Sequence, residues 1–240
     1  MRAPPLPLGA AYVARFEAMC RAAAVVQPEG LSAFWPLVGR QYETATTRVL
    51  LVGRATNQWG EHGLDLSGAR AYSDLSQGQH FVNDDTYARR SRFWATARAV
   101  LESLGVAAHT DETHANGWMQ SLAWTNLFKV APMAGWNPSV AVRGAVREHC
   151  IALLRLELEA LRPDLVLALT GADWLAEFAS GLSLPLRPTG GRFVDGVAQL
   201  AGTTWVVARH PMGKPVKPYL EELMSVLPGS REQLGADRHD

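Results

Sequence analysis

Four segments far apart in the chain each put a polar or charged side chain directly after an apolar run. RVLLVG ends at Gly53 and leads into Arg54, and Leu122 to Val130 carries Asn126 and Lys129. DLVLAL runs into Thr170-Gly171, and TTWVVA into Arg209-His210-Pro211. A side-chain amide accepts from one group and donates to its neighbour, so Asn126 is able to read the edge of a nucleobase. An Asn at a strand end also commonly satisfies local backbone. A histidine after a buried strand can donate to an oxygen that gains negative charge, although a lone histidine more often has a structural role. Pro211 and Gly213 close a tight turn behind His210, which suits a loop that presents a group. GRATNQWG, Gly53 to Gly60, has neither the Gly-Lys-Ser/Thr of a P-loop nor the G-x-G-x-x-G of a dinucleotide fold. GQHF, Gly78 to Phe81, offers an aromatic ring that either stacks on a flat ligand or anchors its loop.

Other combinations lead to weaker chemistry. No G-x-S-x-G elbow is present, which sets a serine-hydrolase triad aside. His109 and His114, with Asp111 and Glu112 between them, read as a solvated loop rather than a metal site. Trp59, Trp124 and Trp136 flank the polar segments, with core packing the default for each. Cys20 and Cys150 are the only cysteines; without several histidines they make no zinc or cluster site, and they read as buried and reduced.

These residues need elements to position them. Ala10 to about Val26 has helical spacing, with Val13, Phe16, Met19 and Cys20 on one face, and stops before Pro28 and Gly30. Arg48 to Gly53 reads as a strand buried on both faces, and residues 54–85 as a long functional loop rich in Gly, Asp, Ser and Asn. Thr86 to Leu104 reads as a helix ended by Gly105, and Arg143 to Leu161 as a long helix ended by Arg162-Pro163. Leu122 to Val130 and Asp164 to Leu169 read as strands. Phe193 to Leu200 and Thr203 to Ala208 form a hairpin turning at Ala201-Gly202, and a last helix runs from Lys217 to Leu227. Alternating strands and helices predict a three-layer α/β/α domain on a central, mainly parallel four-stranded sheet. It spans residues 1–240, with an N-terminal helical extension over 1–47 and a loose polar tail over 228–240. Ligands of such folds bind beyond the carboxyl ends of the strands, so the four polar segments converge on one cleft.

The composition sets limits. Hydrophobic residues make up 48%, enough for a large core, and Lys+Arg and Asp+Glu both total 23. A net charge of zero gives no general attraction to nucleic acid, so any such binding needs a local patch. Arg89, Arg90 and Arg92 form one candidate, and Arg209, Lys214 and Lys217 another, though each set also suits a solvated face. No run approaches ~18 apolar residues, so no membrane span is expected. Met1 to Ala11 lacks the apolar core of a signal peptide, and a cytoplasmic location is the default expectation.

In chain order, from Arg48 to Pro215, these pieces resemble the uracil-DNA glycosylase superfamily, especially the branch that carries an iron–sulfur cluster. RVLLVGRAT is similar to the first strand and motif, usually G-E-A-P-G or G-Q-D-P-Y. GQHFV is similar to G-R-P-F-V, LESLG to a helix ending L-x-x-L-G, and TNLFKVAP to N-x-x-K-x-x-P. REHC with LRLELEALRPDLVLALTG is similar to E-x-x-C followed by L-x-P-x-x-x-x-L-G, and ARHPMG to the closing H-P-S motif. The resemblance implies that Phe81 stacks on a flipped uracil, Asn126 reads its edge, and Gly53 and Arg54 line the base pocket. It implies further that His210 donates to the departing base anion. Met212 would enter the gap in the duplex, with Lys214 and Lys217 on phosphates. The implied partner is DNA containing uracil or another damaged base, which is released as free base by hydrolysis of the N-glycosidic bond; a monomer is expected.

The departures are equally specific. Arg54-Ala55 stands where the superfamily places its acidic residue, Thr56 replaces a proline, and Met212 replaces a serine. Asn57 lies four residues after Gly53 rather than two, so it holds water only from a different slot; Asp74, Asp84 and Asp85 are other sources of that function. Cys150 matches one cluster ligand and the others are missing, so neither cluster nor other cofactor is expected. A member that binds a base, nucleotide or damaged DNA without turnover fits the same residues, as does a small-molecule hydrolase using the same cleft.

Overall fold

A computed structural model gives the fold and describes residues 8–55, 62–71, 91–106 and 117–227. Asn57, Trp59, Asp74, Phe81, Asp84, Asp85, Arg89, Arg90, His109, Asp111, Glu112 and His114 lie outside the described residues. Alanine-rich α1 (Ala10–Val26) has the predicted bounds and buries Tyr12, Phe16, Met19, Cys20 and Ala23. Two short strands follow, β1 (Leu31–Ala33) and β2 (Leu37–Val38), and then β3 (Val49–Gly53). After α2 (Leu66–Ala71) comes α3 (Arg92–Ser103), then β4 (Leu122–Asn126) and β5 (Val130–Pro132). The second half holds α4 (Val140–Leu161), β6 (Leu165–Ala168), α5 (Ala172–Leu182) and β7 (Arg187–Pro188). It closes with the hairpin of β8 (Val194–Leu200) and β9 (Thr203–Ala208), followed by α6 (Val216–Met224).

The protein is mixed α/β. Its main sheet has the order β2-β4-β3-β6-β9-β8-β7. The four inner strands β4, β3, β6 and β9 are parallel. Antiparallel β2, β8 and β7 extend them to seven, which corrects the expected four-stranded sheet. β2 and β7 have two residues each, too short for any periodic signal in the sequence.

Alternation along β3 explains its uninterrupted apolar run. Leu50 and Val52 pack with α1, α4 and α5, while Val49 and Leu51 pack with α3 and α6, so helices cover both faces. The N-terminal segment is built into this body, because α1 shares the first core and β2 pairs with β4.

The strand expected from Leu122 to Val130 is two strands. β4 stops at Asn126, and β5 joins β1 in a separate antiparallel pair. At the break, the Leu127 and Phe128 N–H groups donate to the carbonyls of Gly53 and Arg54 at 2.8 and 2.9 Å. α4 begins three residues before the expected Arg143, because the Ser139 hydroxyl caps it by accepting from Val142 N–H at 3.2 Å. α5 was not anticipated, although Leu175, Phe178 and Leu182 have the spacing of a helical face. Its start is hidden by Gly171, whose φ of 83° places the turn from β6 in a region that favours glycine.

The strand order also locates a crevice. From β3 the chain goes to β4 on one side of it, then crosses to β6 on the other. The connections after β3 and β6 therefore leave the sheet in opposite directions, and open α/β sheets bind ligands at such a point.

Candidate functional site

Gly53 ends β3 and is the register partner of Asn126, the last residue of β4. Strand alternation turns Asn126 to the side of Leu122 and Trp124, toward α3. Its side chain lies against the bare Cα of Gly53. A Cβ at Gly53 would come within 2.2 Å of Asn126 Oδ1 and 3.5 Å of Phe93 Cζ. Asn126 is 1% exposed, and among the described residues its Nδ2 has no hydrogen-bond partner. A buried N–H without an acceptor costs about 1–3 kcal/mol unless a ligand supplies one.

Below it, the main chain of Asn126 is clamped. Lys129 Nζ donates to the Asn126 carbonyl at 2.6 Å and pairs with Glu157 Oε1 at 3.2 Å, both side chains being 0% exposed. Glu157 also accepts from the Tyr12 hydroxyl at 2.5 Å and from the Thr125 hydroxyl at 2.8 Å. The carboxylate therefore meets donors on both oxygens, the condition under which a buried ion pair is tolerated. Sequence reasoning put Lys129 in the cleft; the structure corrects this, for Lys129 serves the cleft from inside the core.

His210 follows β9 on the face that α3 covers. Its ring stacks on Phe93, with centroids 6.0 Å apart and planes at 19°. Met212 N–H donates to His210 Nδ1 at 3.3 Å, which leaves the proton of the neutral ring on Nε2. Burial, then the nearby charges of Arg54 and Lys214, pull the His210 pKa down to about 4. At neutral pH it is an uncharged Nε2–H donor. Lys214 N–H donates to the Pro211 carbonyl at 3.1 Å, and Gly213 has φ 71°, as the third position of a type II turn requires. Met212 sits at the tip and is 73% exposed.

Arg54 spans the crevice between β3 and β6, its Nε donating to the Thr170 carbonyl at 2.7 Å. Its guanidinium lies 5.3 Å from the centre of the Trp174 ring, and a Cβ at Gly171 would come within 3.6 Å of its Nη2. Arg143 approaches the same Trp174 ring at 4.8 Å and pairs with Glu177. Burial lowers the pKa of Arg54 and Asp173 opposes the shift, yet an arginine keeps its charge at neutral pH. Asp195 accepts from Ala172 N–H at 2.8 Å and from Arg209 Nε at 2.9 Å, so both its oxygens are engaged.

Gly53, Arg54, Asn126 and His210 are thus brought to one place. Lys217 stands apart on α6, exposed, with Glu221 at 3.8 Å. Trp124 is core, whereas Trp136 is 85% exposed. A concavity of about 610 Å³, with Arg187, Gln199 and Thr204 in its walls, lies along β7 and β8, away from these groups. Phe93 and Trp174 were missed as site residues. Adjacent Phe93 and Trp94 cannot both face the core from one helix, and that was the available signal. Cys20 and Cys150 are buried and reduced, with burial raising their thiols to about 12 and about 11. Among the described residues no cluster of His, Cys, Asp or Glu has a metal-binding arrangement, and no helix is long and apolar enough to cross a membrane.

No protein-family model matches the chain, and no curated protein matches it.

Proposed function

We propose that the chain is a uracil-DNA glycosylase-like protein whose crevice accepts uracil or another damaged base from DNA and hydrolyses its N-glycosidic bond. The observation that carries this reading is the buried Nδ2 of Asn126, unpartnered among the described residues, on an amide whose Oδ1 lies against Gly53 in the same crevice as the uncharged Nε2–H of His210. A uracil carbonyl supplies the acceptor that Asn126 lacks. When the glycosidic bond breaks, its electron pair goes to the base, and His210 donates to the oxygen that takes up the charge. Water, which Asn57 holds in this reading, adds to the sugar carbon and gives up a proton to solvent, and the base anion takes one up to leave as the free base. Exposed Met212 fills the space left by the base, and Lys214 and Lys217 contact phosphates. The protein acts as a monomer without a cofactor, and the three-layer sheet is that of the superfamily.

The test is release of free base from single- and double-stranded oligonucleotides containing uracil. Activity is expected, with His210→Ala and Asn126→Ala lowering it by at least about a hundredfold, the scale of one oxyanion donor. If no lesion in a broad panel is released from either strand type, hydrolysis is excluded.

A second reading is favoured by Arg54, a cation where the superfamily has its water-activating acid. In that reading the protein binds the base and does not turn it over. Uracil then raises the melting temperature of the wild type but not of Asn126→Ala, while no base is released.

A further inference from the structure

Arg54 is half-buried, and among the described residues no carboxylate forms an ion pair with it. Its Nε is satisfied by Thr170, but the two Nη groups have no acceptor there. Trp174 offers a ring face, which attracts the charge without supplying a lone pair. Asp195 is held by Ala172 and Arg209, and Asp173 acts on Arg54 without pairing with it. Arg54, Arg209 and Lys214 are set against Asp173, Asp195 and Glu222 at this end of the sheet, but Asp195 is taken up by Arg209 and Glu222 by the N–H groups of Phe193 and Val194. Among the described residues, three donors are left open here: Arg54 Nη, His210 Nε2 and Asn126 Nδ2. A withdrawn cation is normally paired, so this set calls for a ligand with negative charge at Arg54 and carbonyl acceptors at Asn126.

Resting on the reading of this crevice as a base-binding site, we propose that Arg54 binds a phosphate group of the ligand whose base Asn126 contacts. The ligand class is then a phosphorylated nucleoside, either a free monophosphate or a nucleotide within a strand. The planar guanidinium presents paired N–H groups that match phosphate oxygens, which an ammonium does less well.

The experiment compares binding by calorimetry for deoxyuridine, deoxyuridine monophosphate, ribose 5-phosphate and a short uracil-containing single strand. Wild type, Arg54→Gln and Arg54→Lys are used, each checked for a cooperative melt. In the wild type, the monophosphate or the strand binds about tenfold tighter than deoxyuridine, the worth of one charge-assisted contact. That gain falls to near unity in Arg54→Gln and is partly kept in Arg54→Lys. Whichever of the two shows the gain identifies the source of the phosphate. The proposal is overturned if neither shows a gain, or if the gain survives in Arg54→Gln. Ribose 5-phosphate binding as tightly as the monophosphate, through Arg54, refutes the base-binding reading and leaves a phosphate site. Deoxyuridine binding without any phosphate gain does the reverse.

Discussion

At the scale of the residue, the missing side chain of Gly53 governs how Asn126 lies. In Gly53→Ala the new Cβ meets Asn126 Oδ1 at 2.2 Å, so the amide must rotate off β3. Overpacking of this kind costs about 1–3 kcal/mol, read as a lower melting temperature, and if uracil binds as proposed its stabilising effect should be lost here as is expected for Asn126→Ala. His210 gives a second prediction. Folded, it protonates only near pH 4; unfolded, near 6.5. Between those values the unfolded chain binds more protons, so stability is lost as the pH falls from about 6.5 through about 4. The loss from this one group should be about 2 kcal/mol, after allowance for its remaining contact with water. His210→Gln should flatten that part of the melting curve against pH, and a proton resonance of the wild-type ring should titrate near the lower value. The positions of Asn126 and His210 were legible because each stands at the end of an apolar strand. Phe93 was not, since one aromatic on a helix reads as core until its neighbours are known.

At the scale of the element, β4, α4 and α1 meet at one buried carboxylate. Removing one partner of the Lys129–Glu157 pair strands the other charge in the core, at about 3–5 kcal/mol for Lys129→Met or Glu157→Leu. The double variant should cost less than the two single ones together, and equilibrium unfolding in urea measures the difference. Helices and inner strands were legible from periodicity and from turn residues, as at α1 and the β8–β9 hairpin. The break between β4 and β5 was not, because Leu127 and Phe128 are as apolar as the strand they end. What turns the chain there is hydrogen bonding to the end of β3 and the pull of Lys129 on the Asn126 carbonyl, contacts between distant parts of the sequence.

At the scale of the whole molecule, positive and negative charges balance, and the cations near the crevice are few. Arg209 is paired with Asp195, and Lys217 is near Glu221, leaving Arg54, Lys214 and Arg92 as the main described contributors. If DNA binds, the logarithm of its affinity should fall against the logarithm of salt concentration with a slope no steeper than about −3, near −0.9 for each phosphate met. Fluorescence anisotropy over a salt series measures it. The parallel order of the inner strands followed from alternation of strands and helices, while the antiparallel edges came from segments too short to announce themselves.

The hydroxyl of Tyr12 reaches Glu157 across 145 residues of chain. Closing so long a loop is slow in entropy terms, and such contacts form late in folding. The clamp on Asn126 is then completed only when α1 docks on α4, so Asn126 takes its final orientation near the end of assembly.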